Sequence, residues 1–275
     1  MTSIEANRFN AIVVLDSIPP DQLQSARRLA ENIEAIGAAY PPAVSVERIR
    51  IGGLEDFFAA FDRLRARTSV DGFMPLLHFE CHGSEDGFEL SDGSFIEWAK
   101  LKEPLTQLNI VTGLNLMVCV AACTGGALLK VVTALDRAPL WGLIGPSEAM
   151  GAGALEDAYA AFYDALVRTK NARVAIDALD AASAPHVFMR ITAQRIFLEA
   201  WQRYKDITGD TALRKRAKRV RKRLIDDSRN PPNVKTVMRQ MRALEPQLFE
   251  RYKESFFLQD LYPENAGRFD IRYPG

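Results

Sequence analysis

The chain has 275 residues, of which 48% are hydrophobic and 25% charged, a balance that excludes extended disorder and provides for one large core or a domain with an extension. The formal net charge is zero, which excludes a chain that is basic or acidic overall, yet residues 1–184 carry 15 basic and 24 acidic side chains while residues 185–275 carry 20 and 11. That asymmetry, net −9 against net +9, points either to electrostatic docking of the two parts or to an anionic partner for the second.

The opening MTSIEANRFN lacks the basic and apolar blocks of a signal peptide, and no apolar run approaches the roughly 20 residues a membrane-spanning helix needs. The chain is therefore expected in the cytoplasm, with no transmembrane segment. The three cysteines, Cys81, Cys119 and Cys123, are few and odd in number, which argues against a disulfide framework and fits a reducing compartment.

Ala11 to Leu15 reads as a first strand. After Pro19-Pro20, apolar residues recur at Leu23, Ala26, Leu29, Ala30, Ile33 and Ile36, the spacing of one helical face. Val44 to Ile51 alternates into a second strand, broken by Gly52-Gly53, and Leu54, Phe57, Phe58, Phe61 and Leu64 form another helical stripe. Phe73 to Cys81 is a third strand, apolar enough to be central, which His82-Gly83 ends. GFELSDGSFIEW predicts a small hairpin turning at Asp92-Gly93, with a short helix from about Glu97. Leu114 to Ala122 is the fourth strand, Cys123-Thr124-Gly125-Gly126 follows it, and a helical segment is expected around Ala127 to Leu135. A fifth strand, Leu140 to Ile144, stops at Gly145-Pro146. Two helices come next, one with Leu155, Tyr159, Phe162, Tyr163 and Leu166 on a face, the other with Val174, Ala178, Leu179 and Ala182. His186 to Ile191 fits a sixth strand or the start of a helix through Trp201, and the remainder reads as helical. The alternation predicts an open, doubly wound α/β sheet of six mostly parallel strands with flanking helices over residues 1–190, and a basic helical C-terminal extension over 191–275, packed on it.

Ligands of such sheets bind outside the carboxyl ends of the strands, and His82 and Cys123 each lie just past one. If strands three and four are neighbours, the imidazole and the thiol emerge on one rim. A thiol with an ordinary pKa of about 8.5 becomes a strong nucleophile when a positioned base takes its proton. Gly83 permits close backbone approach and unusual dihedrals, so its N–H and that of Cys123 are candidates for an oxyanion hole.

The run LLHFECHG, a hairpin, then LNLMVCVAACTGG resembles the caspase-like peptidase clan of metacaspases, gingipains, separases and bacterial CHAT peptidases. The likeness continues through LWGLIGPSEAMGAGALEDAYAAFYDALVRTKNARVAIDALDAA, which is similar to the CHAT-type segment, and covers roughly residues 10–185. It implies a caspase-like fold and a cysteine endopeptidase with His82 as base and Cys123 as nucleophile, needing no metal or organic cofactor. It further implies cleavage of one protein partner, a gasdermin-like or other effector, in bacterial antiviral defence or regulated cell death. The caspase signature has Gln and Arg where this chain reads AACTG, and a spacing near 50 where His82 and Cys123 are 41 apart, which favours the broader clan over true caspases. The acidic first part suits a substrate with a basic residue, and Glu85, Asp86 and Glu148 are loop carboxylates placed to line a specificity pocket.

Rival readings remain open beside these. A catalytically silent scaffold of the same fold would bind a protein or anionic partner. His78, Glu80 and His82 share one strand face, which raises a metal site. RKRAKRVRKR at 214–223 has eight basic residues in ten, with Leu213, Ala217, Val220 and Leu224 on one stripe. This amphipathic segment, 213–224, suits nucleic acid or an anionic membrane surface, or is simply a solvated face.

Overall fold

A computed structural model of the chain describes residues 8–41, 43–131, 136–227 and 232–274. It divides into two compact units, one of residues 1–132 and 138–193, the other of 133–137 and 194–275. The first is an α/β unit whose six-stranded sheet is parallel except at one edge.

In chain order the sheet strands are β1 (Ala11–Asp16), β2 (Ser45–Arg50) and β3 (Pro75–Glu80). Two helices intervene, α1 (Ser25–Ala39) and α2 (Leu54–Asp71). Three short strands, β4 (His82–Gly83), β5 (Gly87–Glu89) and β6 (Phe95–Glu97), then make a separate antiparallel sheet. Helix α3 (Lys102–Val111), β7 (Met117–Ala121), β8 (Gly142–Pro146), α4 (Ala152–Thr169), α5 (Ala172–Ala181) and β9 (Phe188–Thr192) complete the unit. The large sheet runs β2-β1-β3-β7-β8-β9, with β9 antiparallel to β8.

β1, β3 and β8 are buried along their whole length, as strands covered on both faces must be, whereas β2 at the edge buries only Ile49. Even-numbered residues of β1, Ile12 and Val14, pack with Leu76, Cys119 and Ile144 against α1 and α4. The opposite face is aromatic: Phe57 and Phe61 of α2 meet Phe79, and Phe88 of β5 bridges to Trp98. Tyr159 of α4 donates its hydroxyl to the carbonyls of Val120 and Ile144, pinning α4 across two strands (3.1 Å each).

The strands are those the periodicity predicts, with three refinements. His82-Gly83 does not merely end β3; it opens the second sheet, paired with Glu89 and Phe88. β8 continues through Pro146, whose missing N–H costs nothing at a strand end. The segment after Pro185 is strand and then helix, because β9 caps the sheet before α6 (Ala193–Ile207) begins. Three stripes are narrower than expected: Leu23 lies ahead of α1 and is exposed, Leu54 (44%) and Phe58 (41%) of α2 are exposed, and α5 buries Ala175 and Leu179 but exposes Val174. After Cys123 comes a 3-10 segment, Gly125–Val131; residues 132–135 of the helix expected there lie outside the described residues.

The second unit is helical: α6, α7 (Asp210–Asp227), α8 (Val234–Ala243), α9 (Glu245–Phe256) and a short turn at Asn265–Arg268. It has its own aromatic core, in which Phe197 and Trp201 pack on Phe249, Phe256 and Phe257. Among the described residues no helix is long and apolar enough to cross a membrane.

Candidate active site

The sheet order makes a topological switch between β1 and β3, since the chain leaves β1 for β2 on one side and returns to add β3 on the other. Asp16, Glu80 and Ala121 are level in register across β1, β3 and β7. His82 and Cys123 therefore each stand two residues beyond a paired position, at the carboxyl rim of adjacent parallel strands.

Contact between the two loops is direct. A Cβ built on Gly83 would lie 2.4 Å from the Cys123 carbonyl oxygen, 2.8 Å from Ala122 Cβ and 3.3 Å from the Cys123 nitrogen. Gly83 is not in the left-handed region, which Gly72, Gly93 and Gly113 occupy, so glycine is needed here for close approach and not for an unusual dihedral. Past Cys123 the chain is forced round sharply. Thr124 has φ of 54°, rare for a β-branched residue, and the Gly125 N–H returns to the Ala122 carbonyl at 2.9 Å.

His82 is exposed, and its Nε2 lies 2.6 Å from Oε1 of Gln22, in the loop after β1. An amide oxygen only accepts, so Nε2 donates to it, and it is the Nδ1 lone pair that the neutral imidazole keeps. The loop that carries Gln22 is anchored below. Ser17 N–H donates to the Glu80 carbonyl at 2.8 Å, and buried Asp16 pairs with Arg48 and Arg50 of β2 at 2.8 and 2.9 Å. Gln24 Nε2 donates to the carbonyls of Pro19 and Gln22. The Gln22–His82 bond thus spans the switch point. Nothing in the periodicity of PPDQLQ marks Gln22; the expected crevice between the first and third strands is the one signal that leads to it.

The half-buried Cys123 thiol donates to the Met150 carbonyl, with Sγ 3.7 Å from it. No hydrogen bond joins it to His82 among the described residues. The loop after β8 also supplies the Glu148 carbonyl, which accepts from Thr124 N–H at 3.4 Å. The Cys123 N–H has no hydrogen-bond partner among the described residues.

Of the predicted carboxylates, Glu148 is thus brought against the Cys123 loop, its exposed side chain at the rim. Glu85 and Asp86 sit at the exposed turn between β4 and β5, where the Asp86 carbonyl accepts from Trp98 N–H.

His78 does not join His82. Its Nδ1 lies 3.1 Å from the Tyr163 hydroxyl and its Nε2 3.1 Å from Glu80 Oε1, while Ser25 donates to the other Glu80 oxygen at 2.9 Å. The triple His78, Glu80 and His82 is therefore split into a buried hydrogen-bonded pair and a rim imidazole. No group of three or more His, Cys, Asp or Glu able to hold a metal occurs among the described residues.

Burial separates the three thiols. It pushes Cys119 up to about 12 and Cys81 higher still, the nearby Glu80 carboxylate adding to the effect on Cys81. Because the thiolate is the reacting species, native protein treated with iodoacetamide near neutral pH is expected to be alkylated at Cys123 alone, with Cys81 and Cys119 modified only after unfolding. Peptide mass mapping before and after denaturation checks this, and equal labelling of Cys81 in the native state would overturn it.

Comparison with protein families and with curated proteins finds no family model and no curated protein that matches this chain significantly.

Proposed function

We propose that this chain is a caspase-like cysteine endopeptidase of CHAT type that cleaves a specific protein partner, with Cys123 as nucleophile and His82 as base. One observation carries it: Gly83 rests on the backbone of Cys123, so a base and a nucleophile leave adjacent parallel strands at the same height with their loops in contact. Gln22 supports the roles, since it holds the His82 tautomer whose Nδ1 is free to accept a proton.

The reaction is acyl transfer. Cys123 Sγ attacks the scissile carbonyl carbon as His82 Nδ1 takes the thiol proton. The oxyanion is received by the unpartnered Cys123 N–H and by the Gly83 N–H beside it, donors of a kind worth roughly 10² to 10³ in rate each. His82 then gives its proton to the leaving amine, and water, deprotonated by His82, releases the acid from the thioester. None of these steps needs a metal or cofactor. Sγ has to turn away from the Met150 carbonyl first, so a substrate that displaces the loop after β8 frees the nucleophile.

That same thiol orientation favours a second reading, a catalytically silent scaffold in which Cys123 only ties down the loop. An acyloxymethyl ketone peptide probe with a basic residue at the reactive end separates the two. Labelling of wild type that is lost in Cys123→Ala supports the peptidase; an alkylatable Cys123 that never reacts with the probe supports the scaffold.

Specificity follows from Glu148, whose backbone carbonyl accepts from Thr124 N–H beside Cys123. Glu148→Gln is expected to lower kcat/KM for peptides with Lys or Arg before the cleaved bond by about tenfold, and Glu85→Gln or Asp86→Asn by less. Steady-state hydrolysis of matched Lys and Asp peptides tests this; no preference for Lys peptides in wild type would end the idea. Three cysteines, few and odd in number, suit a reducing cytoplasm, and a gasdermin-like or other effector of defence or cell death as substrate follows from the resemblance alone.

A further inference from the structure

We infer that the helical second unit captures an acidic, amphipathic segment of another protein in a groove between its own helices, whether or not Cys123 is a nucleophile. The groove, about 710 Å³, lies between the end of α6, α7, and the α8–α9 junction. Its apolar residues include Ile207, Leu244 and Leu248, of which Ile207 is 76% and Leu244 54% exposed. Large aliphatic side chains left open to water on a concave surface mark a place where apolar anchors of a ligand are buried.

Arg216 and Arg219 of α7 line the same groove. They belong to the run 214–223, in which none of the eight cations has a carboxylate partner among the described residues. Arg216 reaches only the Tyr204 hydroxyl, at 3.4 Å, and Arg221 the Pro232 carbonyl, at 3.2 Å. In the same lining Arg242 is matched with Asp210, and elsewhere in this unit Arg195 and Lys253 are matched with Glu199 and Glu250. The stripe expected behind the run is present, with Ala217 buried; the Leu224 side chain lies outside the described residues. Like charges crowded on one helix repel, and an anionic ligand relieves that repulsion as it binds.

Shape and chemistry choose the occupant. Membrane-binding helices present their apolar residues on a convex face, whereas Ile207, Leu244 and Leu248 line a concavity between helices. A single-stranded nucleic acid needs aromatic platforms, and Tyr204 is the one aromatic side chain among the described lining residues. An acidic helix with apolar anchors three and four residues apart satisfies both the floor and the rim.

The test uses the full chain and a fluorescein-labelled helical peptide of about 16 residues, Leu at i, i+3, i+4 and i+7 and Glu or Asp elsewhere, read by anisotropy. The expected result is saturable binding that weakens about tenfold or more in Ile207→Asp, in Leu244→Asp and in the double variant Arg216→Glu, Arg219→Glu. Replacing the peptide's Leu with Ser is expected to weaken binding as much. Ile207 and Leu244 are exposed, so these variants should melt as wild type does, and Leu244→Ser serves where the charge disturbs folding. Four outcomes overturn the inference: no binding, equal binding of the Ser peptide, tighter binding of oligothymidine or phosphatidylserine vesicles that ignores Leu244, or a dimer that dissociates in Leu244→Asp and leaves no peptide site.

Discussion

His82→Ala is expected to lower kcat/KM for peptide hydrolysis by about 10² to 10⁴ while leaving Cys123 open to iodoacetamide, since a general base contributes about that much and alkylation needs none. His82 is exposed and enters no core contact, so its removal should not unfold the chain. A graded companion comes from Gln22, a positioning residue. Gln22→Met keeps the length and deletes the acceptor, freeing the imidazole to rotate and to adopt either tautomer; a loss of about tenfold is expected, comparable with one hydrogen bond. Gln22→Glu restores an acceptor at the same place and should recover most of the rate, which a merely structural role for Gln22 would not produce. Full activity in His82→Ala would remove the dyad; equal loss in Gln22→Met and Gln22→Glu would remove the tautomer argument.

Much of the α/β unit is legible in the chain because burial on both faces leaves uninterrupted apolar runs, as in AIVVL and LNLMVCVAA, that periodicity reads directly. What lies between strands is legible only where a residue is locally forced, as at Asp92-Gly93, where φ of 85° at Gly93 makes the turn. Side-chain partners across the sheet order are not. His78 and His82 look alike in LLHFECHG, yet one is locked between Tyr163 and Glu80 and the other stands on the rim, a difference set by α4, some 80 residues on. Gln22 reaches His82 only because β1 and β3 are neighbours. The basic run at 214–223 is obvious in the sequence, but the groove is not, because Ile207 and Leu244 sit at helix ends where no stripe continues.

Gly83→Ala should cost both activity and stability, because the added methyl falls between the His82 and Cys123 loops. The added carbon would meet the Cys123 carbonyl oxygen at 2.4 Å and Ala122 Cβ at 2.8 Å, both below any real contact distance, so one of the loops has to move. Neither can move freely. Behind Cys123, a Cβ on Gly125 would stand 2.6 Å from Val120 Cγ1, and one on Gly145 would stand 2.9 Å from the Gly125 carbonyl carbon, so the turn is already packed against β7 and β8. On the other side, β4 is held by its pairing with β5. Relief therefore comes from spreading the rim by something on the order of 1 Å, a displacement that can cost about 10² in rate when nucleophile, base and oxyanion donors must act together. A loss of about 10² to 10³ in kcat/KM and of about 1–3 kcal/mol in stability is expected, read by peptide hydrolysis and by denaturant unfolding. Gly151→Ala and Gly153→Ala are the controls, because a Cβ at either meets nothing within 4 Å. If Gly83→Ala loses stability but keeps its rate, the contact between the two loops serves the fold alone, and the base and nucleophile must be sought in separate places.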